Sequence, residues 1–268
     1  MSVLGLRWSG LSDRGKVRKN NEDSFLGLQF DGREAWRLGK VGEMTLERMD
    51  AVFAVSDGMG GAMAGEFASR IAVEKITKLL PRSFRQGAVG IEAGFGDVLV
   101  EVFQEIHGAL GYLGASYEEC AGMGATLSLG WFAPGWMYFA HVGDSRIYYL
   151  PAAGGMRQVT RDDSHVGWLL RNGQINEREA RNHPRRSVLQ KALGAGHRYV
   201  DPQIGAVGCE VGDRFLLCSD GVVDGLFDAR LEDYARGAAA GEAAGTVVAE
   251  AVARAGRDNT TAVVVEAF

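Results

Sequence analysis

The chain reads as a layered α+β protein. Short runs rich in Val, Leu, Phe and Tyr recur along it, bounded by Gly or Asp. Two long amphipathic stripes of helical period lie between the groups of strands, and no Ser/Pro/Gly linker divides the chain. Strands clustered together with helices outside them describe stacked layers around shared apolar cores.

The strand-like runs are Ser24–Gln29, Ala51–Ser56, Ala125–Trp131, Trp136–Val142, Arg146–Leu150, Arg214–Cys218 and Thr260–Ala267. Over Gly65–Leu80 the residues Ala68, Ile71, Ala72, Ile76 and Leu79 follow a 3.6 period, and Pro81 is expected to stop that helix. A second stripe, Leu99, Val102, Phe103, Ile106, Leu110 and Leu113, predicts a helix over Gly96–Leu113, with more helix in Asp224–Ala240 and Ala243–Arg254. Two stretches read as insertions: Asp31–Arg48, polar and charged between strand-like runs, and Arg161–Arg198, basic and helix-prone inside a β-rich region.

Composition removes several classes. A formal charge of −5 offers no basic surplus for nucleic acid. No apolar run approaches the roughly 18 residues of a membrane span, and Met1–Trp8 lacks the charged and apolar regions of a signal peptide. The cysteines Cys120, Cys209 and Cys218 are odd in number and far apart, which argues against a disulfide framework or a cysteine zinc site. A cytoplasmic protein is the expectation. Glycine, at 38 of 268 residues, is about twice as frequent as usual, so many backbone positions need special angles or close approach.

Five segments put an aspartate at a strand end or in a glycine turn: Ser12–Asp23, Ala54–Gly61, His141–Arg146, Leu216–Gly221 and Arg257–Thr261. Taken singly, Asp-Gly is a hairpin signal. Yet Asp57-Gly58 is followed by a glycine loop and a helix, and Asp220-Gly221 by another helix-like run. Five such segments together read as ligands. Two charges about 4 Å apart repel by about 4 kcal/mol at an effective dielectric near 20, so converging aspartates need a cation among them. An all-oxygen set favours Mg²⁺ or Mn²⁺, and several carboxylates call for more than one ion. Gly58 adds a candidate carbonyl ligand, and Arg18 a guanidinium able to grip phosphate oxygens, or else a solvated basic turn with Arg14, Lys16 and Lys19.

In this order the segments resemble the metal-dependent Ser/Thr protein phosphatases of the PPM/PP2C family, bacterial type. The resemblance extends through Gly122–Leu127, Thr160–Ser164 and Glu179–Pro184, and covers Ser12 to Val265. It implies one domain over residues 1–268: a four-layer αββα sandwich of two antiparallel sheets flanked by helices, with a flap at about 161–198 beside the cleft. It also implies that Asp57 bridges two metals, one shared with Asp220 and Asp258, the other with the Gly58 carbonyl, Glu22 and Asp23. Asp144, with Asp220, corresponds to a looser third ion, and Arg18 to the phosphate-binding residue. A metal-bridged hydroxide would attack phosphorus in line, without a phospho-enzyme. The implied substrates are phosphoserine and phosphothreonine proteins, including a Ser/Thr kinase, acted on by a monomer.

Three departures stand out. Met59 and Ala62 occupy places where some members carry a histidine, so no protein general acid is assigned. Asp163 replaces the histidine of the flap's Asp-His-Ser, and Asp31–Arg48 is longer than the usual connection, a docking hairpin or tolerated decoration. Among other features, His141 reads as a scaffold residue, His107 lies on the polar side of its helix, His183 reads as a structural pin, and Cys218 as buried. Trp131 and Trp136 read as hairpin core. Two other functions compete: an idle phosphoprotein-binding module, disfavoured by the retained aspartates, and a hydrolase of small phosphate esters or nucleic acid.

Overall fold

A computed structural model describes residues 4–31, 34–88 and 94–268. The first three residues of the Met1–Trp8 segment, and Gly32 and Arg33 of the 31–48 insertion, lie outside these. The chain opens with β1 (Gly5–Asp13), β2 (Asp23–Phe30), β3 (Ala35–Arg37), β4 (Val41–Thr45) and β5 (Asp50–Met59), followed by α1 (Ala62–Ala88) and α2 (Phe95–Ser116). Next come β6 (Gly124–Ala125), β7 (Leu127–Ala133), β8 (Trp136–Val142), β9 (Arg146–Leu150) and β10 (Arg157–Gln158). The flap contains α3 (His165–Arg171), α4 (Glu177–Arg181) and β11 (Leu193–Gly194). The chain then runs through β12 (Gln203–Gly208), β13 (Arg214–Cys218), α5 (Asp220–Gly225), α6 (Asp228–Gly237), α7 (Ala240–Arg254) and β14 (Thr260–Ala267).

One sheet has the order β10-β9-β13-β14-β1-β4, and the other β3-β2-β5-β7-β8-β12, with β6 and β11 extending from the end of β5. Every pairing is antiparallel. Apolar residues fill three spaces. Trp8, Phe53, Phe132, Phe139, Phe215 and Val265 pack between the sheets. Leu28, Val52, Leu129 and Trp131 meet Ile76, Leu99 and Phe103 of α1 and α2 on one outer face. Leu216, Val264 and Tyr148 meet Val222, Leu231 and Val247 of α5–α7 on the other. The αββα sandwich expected from the resemblance is the observed fold.

The structure departs from several local readings. Helix α1 continues past Pro81 to Ala88; Leu79, Leu80 and Pro81 are all buried, and tertiary packing outweighs the helix-breaking tendency of proline. The helix expected over Asp224–Ala240 is divided, α5 ending at Gly225 and α6 starting at Asp228. Strand β1, absent from the sequence reading, is an interior strand, paired on one side with β14 and on the other with the edge strand β4. Gly5, Ser9, Gly10 and Ser12 mask its pattern. Ser9 is buried and ties the strand to α7, donating from Oγ to the Ala240 carbonyl at 2.5 Å and accepting from the Ala244 amide at 3.0 Å.

The 31–48 stretch, read as a docking hairpin or tolerated decoration, is woven into both sheets. It passes from one sheet to the other, giving β3 to β2 and β4 to β1, while Leu38 and Leu46 pack between the sheets. His107 is buried and accepts the Gly194 amide at 3.1 Å, not exposed on a polar face. Trp131 is core, but Trp136 is about half exposed. Both scaffold histidines behave as read: His141 is buried between Ser128 Oγ and the Gly143 carbonyl, and His183 Nδ1 accepts the Arg185 amide.

Phe215 is fully buried between the sheets, edge-on to Phe132 with centroids 5.2 Å apart. Phe215→Ala is expected to destabilise the protein by about 3–5 kcal/mol in urea unfolding, the usual cost of an unfilled aromatic site.

Candidate metal centre

Antiparallel pairing reverses each neighbour, so the end of one strand lies beside the start of the next. That rule gathers the five segments at one end of the sandwich. Asp57 lies near the end of β5 and Asp23 at the start of β2, and the two are directly opposed in the β2–β5 ladder. In the other sheet Asp220 follows β13 and Asp258 precedes β14, the strand paired with β13; Asp144 sits in the turn between β8 and β9. One cavity of about 480 Å³ is lined by Arg18, Glu22, Asp57, Gly58, Asp144, Asp220 and Asp258, together with Thr126 and flap residues Ser187 and Leu189. Asp23 lies buried behind this lining.

Directly opposed like charges destabilise a strand pair, and here burial compounds the repulsion. Desolvation is the largest effect on Asp23, Asp57, Asp144 and Asp220. It lifts Asp57 well above the ordinary carboxylate range, reinforced by Asp23, Asp220 and Asp144. Asp220 is lifted in the same way, with Asp144 and Asp258 adding to the effect. Burial raises Asp23 to about 6 despite hydrogen bonds from Ser219 and Thr261, and Asp144 to about 7 despite Arg146. Glu22 rises through burial, opposed by Arg18.

Hydrogen bonds fix the surrounding backbone. The Asp57 amide donates to Thr126 Oγ1 at 3.0 Å, and the Thr126 amide returns a bond to the Asp57 carbonyl at 2.8 Å. Ser219 Oγ donates to Asp23 Oδ2 at 2.7 Å and accepts the Thr261 amide, joining β2 to the other sheet. Asn259 is the widest link: it accepts the Glu22 amide at 2.8 Å and donates at 2.9 Å to the carbonyls of Arg14 and Asn20. Thr126, Ser219 and Asn259 had no role in the sequence reading. Each stands inside a quoted motif, immediately beside or within two residues of an acidic or glycine position, and that adjacency was the available signal. Two glycines are needed for space. A Cβ on Gly58 would strike the Gly65 carbonyl of α1, and Gly143, at φ +109°, turns the chain into Asp144 against Thr126.

The carboxylates share a cavity without closing on one point: among the described residues no three lie within reach of a single ion. Two engagements hold them apart. Arg18 Nη2 donates to Asp258 Oδ2 at 2.6 Å, and Ser219 holds Asp23. The residues nevertheless fit divalent cations. Asp23 Oδ1 and Asp220 Oδ1 are buried with no hydrogen-bond partner, and such oxygens are costly unless a cation or water meets them. Every candidate donor is oxygen, and Gly58 leaves room for its main chain to approach. Asp258 can serve either Arg18 or a cation, so a cation there would free the guanidinium for another anion.

The flap is tied to the same end. The Asp163 amide donates to the Gly143 carbonyl at 2.6 Å, and Asp163 Oδ2 accepts the Gly143 amide at 3.2 Å. Beside it Asp162 takes Arg146 Nε at 3.0 Å and Nη2 at 2.7 Å, a paired contact that the sequence reading also missed.

A profile of the protein phosphatase 2C family matches residues 43–244. With that match, the sandwich and the acidic end, the chain belongs to the protein phosphatase 2C family. Among curated relatives, the serine/threonine protein phosphatase PstP of Mycobacterium tuberculosis is 33% identical over 268 residues, covering 98% of this chain and 45% of the relative. The chain thus spans less than half of that protein's length. The serine/threonine phosphatase stp of Listeria innocua is 32% identical over 257 residues, covering 95% of this chain and 93% of the relative. A crystal structure of the PstP catalytic domain in complex with two manganese ions superposes with a TM-score of 0.78 at 29% identity, over 99% of both chains.

A carboxyl whose folded pKa exceeds its unfolded value of roughly 3.9 binds protons more tightly in the native state. Native stability is then lost as pH rises from that value through the folded pKa. For Asp23 and Asp144 the window runs from about pH 4 to about pH 7. In chelator the melting temperature is expected to fall across this window, and saturating Mn²⁺ to reverse the fall. Asp220→Asn should melt no lower than wild type in chelator and show a much smaller Mn²⁺-induced rise; a full rise would remove Asp220 from the metal-binding set.

Proposed function

We propose that the chain is a divalent-cation-dependent phosphatase of phosphoserine and phosphothreonine in proteins, a single domain over residues 1–268 with its flap at about 161–198. One observation carries this reading. Buried, unpartnered oxygens on Asp23 and Asp220 accompany a cavity lined by Asp57, Asp144, Asp220 and Asp258, with Arg18 among its walls. The manganese complex of the PstP catalytic domain, alike over 99% of both chains, supports the same assignment.

In this reading Asp57, Asp220, Asp258, Glu22, Asp23 and the Gly58 carbonyl would hold two Mn²⁺ or Mg²⁺ ions, and Asp144 with Asp220 would offer a place for a third. When bound, such ions act as Lewis acids and make water a competent nucleophile at neutral pH. Arg18 orients the substrate phosphate through charge-assisted hydrogen bonds once Asp258 releases it. Water oxygen bonds to phosphorus as the bond to the seryl or threonyl oxygen breaks. One proton of that water ends on the seryl or threonyl oxygen by way of solvent, the other stays with the phosphate, and inorganic phosphate leaves without ever being bonded to the protein. Among the described residues no histidine or cysteine lines the cavity.

The substrates in this reading include a Ser/Thr kinase, and the enzyme works as a cytoplasmic monomer. No helix among the described residues is long and apolar enough to cross a membrane.

A phosphothreonine peptide should release phosphate with Mn²⁺ and not with chelator. Asp220→Asn should keep its fold and lose at least about a hundredfold in kcat; undiminished turnover in that folded variant would defeat the proposal. Arg18→Ala is expected to raise KM by roughly tenfold, the loss of one charge-assisted contact, with a smaller change in kcat.

A further inference from the structure

The chain carries net negative charge, yet its positive charge gathers beside the candidate metal centre. Between Glu177 and Arg198 the flap has Arg178, Arg181, Arg185, Arg186, Lys191 and Arg198 against Glu177 and Glu179. Two of these arginines face two more from the end of α7. A cleft of about 370 Å³ is lined by Arg181, Arg186, Arg254 and Arg257, with Asp224 as its sole carboxylate and Phe227 as its apolar wall.

The four guanidiniums differ in what already holds them. Arg181 donates to the Leu226 carbonyl at 2.7 Å and lies 3.6 Å over the Phe227 ring, so it is fixed in place. Arg254 is shared with Glu250 at 3.6 Å and Tyr234 at 3.2 Å. Arg186 and Arg257 are exposed, and among the described residues neither side chain makes a hydrogen bond or ion pair; both act on Asp224 only through longer-range attraction. Two unengaged forks beside a fixed one form a concave anion site with spare donors. One carboxylate does not neutralise it.

The cleft joins the metal centre. Arg257 immediately precedes Asp258, and Arg186 immediately precedes Ser187, and both followers line the catalytic cavity. A smaller cavity of about 120 Å³ links the two, sharing Asp144 and Asp220 with the metal centre and Arg181, Arg186 and Asp224 with the cleft. A chain lying across the catalytic cavity therefore passes the cleft within a few residues, at roughly 3.3–3.6 Å per extended residue.

Resting on the phosphatase reading above, we infer that this cleft binds a second phosphoryl group on the same substrate chain, so that the preferred substrates are multiply phosphorylated segments. A phosphoryl group suits it better than a carboxylate. It carries nearly two charges and three acceptor oxygens, enough for two guanidinium forks at once.

The test uses phosphothreonine peptides in which a second residue, walked along the sequence, is threonine, aspartate or a non-hydrolysable phosphonate analogue of phosphothreonine. At the best spacing the phosphonate peptide should show a KM about tenfold below the threonine peptide, with aspartate between them and the preference shrinking as salt rises. The Arg186→Ala/Arg257→Ala variant should erase that preference while leaving turnover of the threonine peptide and of p-nitrophenyl phosphate unchanged. Lack of preference at every spacing, or a preference that survives in the folded double variant, overturns the inference. So does free inorganic phosphate lowering KM for the threonine peptide to the same degree, which would make the cleft a site for the free anion. The same ranking read as Kd on the Asp220→Asn protein needs no turnover. Ranked binding there without any wild-type hydrolysis would sink the enzymatic reading and leave the cleft standing, and active but indifferent protein would do the reverse.

Discussion

Mutual repulsion among buried carboxylates is the constraint to which the rest of this molecule answers. Asp23 and Asp57 face each other across a strand pair, and Asp144 lies close enough to Asp220 to raise that residue's affinity for protons. Left alone, such a cluster would splay or protonate. The sandwich prevents the first by pinning every segment through backbone pairing and through Ser219, Thr126 and Asn259. It makes the second unnecessary once cations enter. Stability away from the site is thus what maintains an unfavourable charge arrangement within it.

The architecture suits that task because the segments come from both sheets. Ser219, Thr261 and Asp23 form one hydrogen-bonded chain between β13, β14 and β2, so the sheets are joined at the cavity as well as through the apolar layer between them. The 31–48 crossover joins them again, pairing β3 with one sheet and β4 with the other. A shear of one sheet against the other would misplace donors on both sides of the cavity, and two separate links resist it.

Much of this was legible in the residues. All seven strand-like runs are strands, and the two amphipathic stripes form α1 and α2, because apolar periodicity reports a face that must be buried. Arg18, Glu22, Asp57, Gly58, Asp144, Asp220 and Asp258 line one cavity, with Asp23 buried behind it. The misses have a common cause. β1 carries small residues where aromatic rings of other strands fill the space, as Phe25 does over Gly10. Pro81 stays within α1 beside the core residues Leu79 and Leu80, and His107 is buried where Gly194, remote in sequence, meets it. Local propensity contains no information about those neighbours.

The amino-acid sequence alone determined the kinds of layers, the order of the acidic segments and the hard-cation chemistry of their oxygens, since these follow from periodicity and residue type. Tertiary structure alone decided which oxygens lack partners, that Asp258 is engaged by Arg18, and that the flap's arginines meet those at the end of α7 in one cleft. Distance in space is set by the whole packing, and residues as far apart in sequence as Arg18 and Asp258 acquire a relationship only when the sandwich closes.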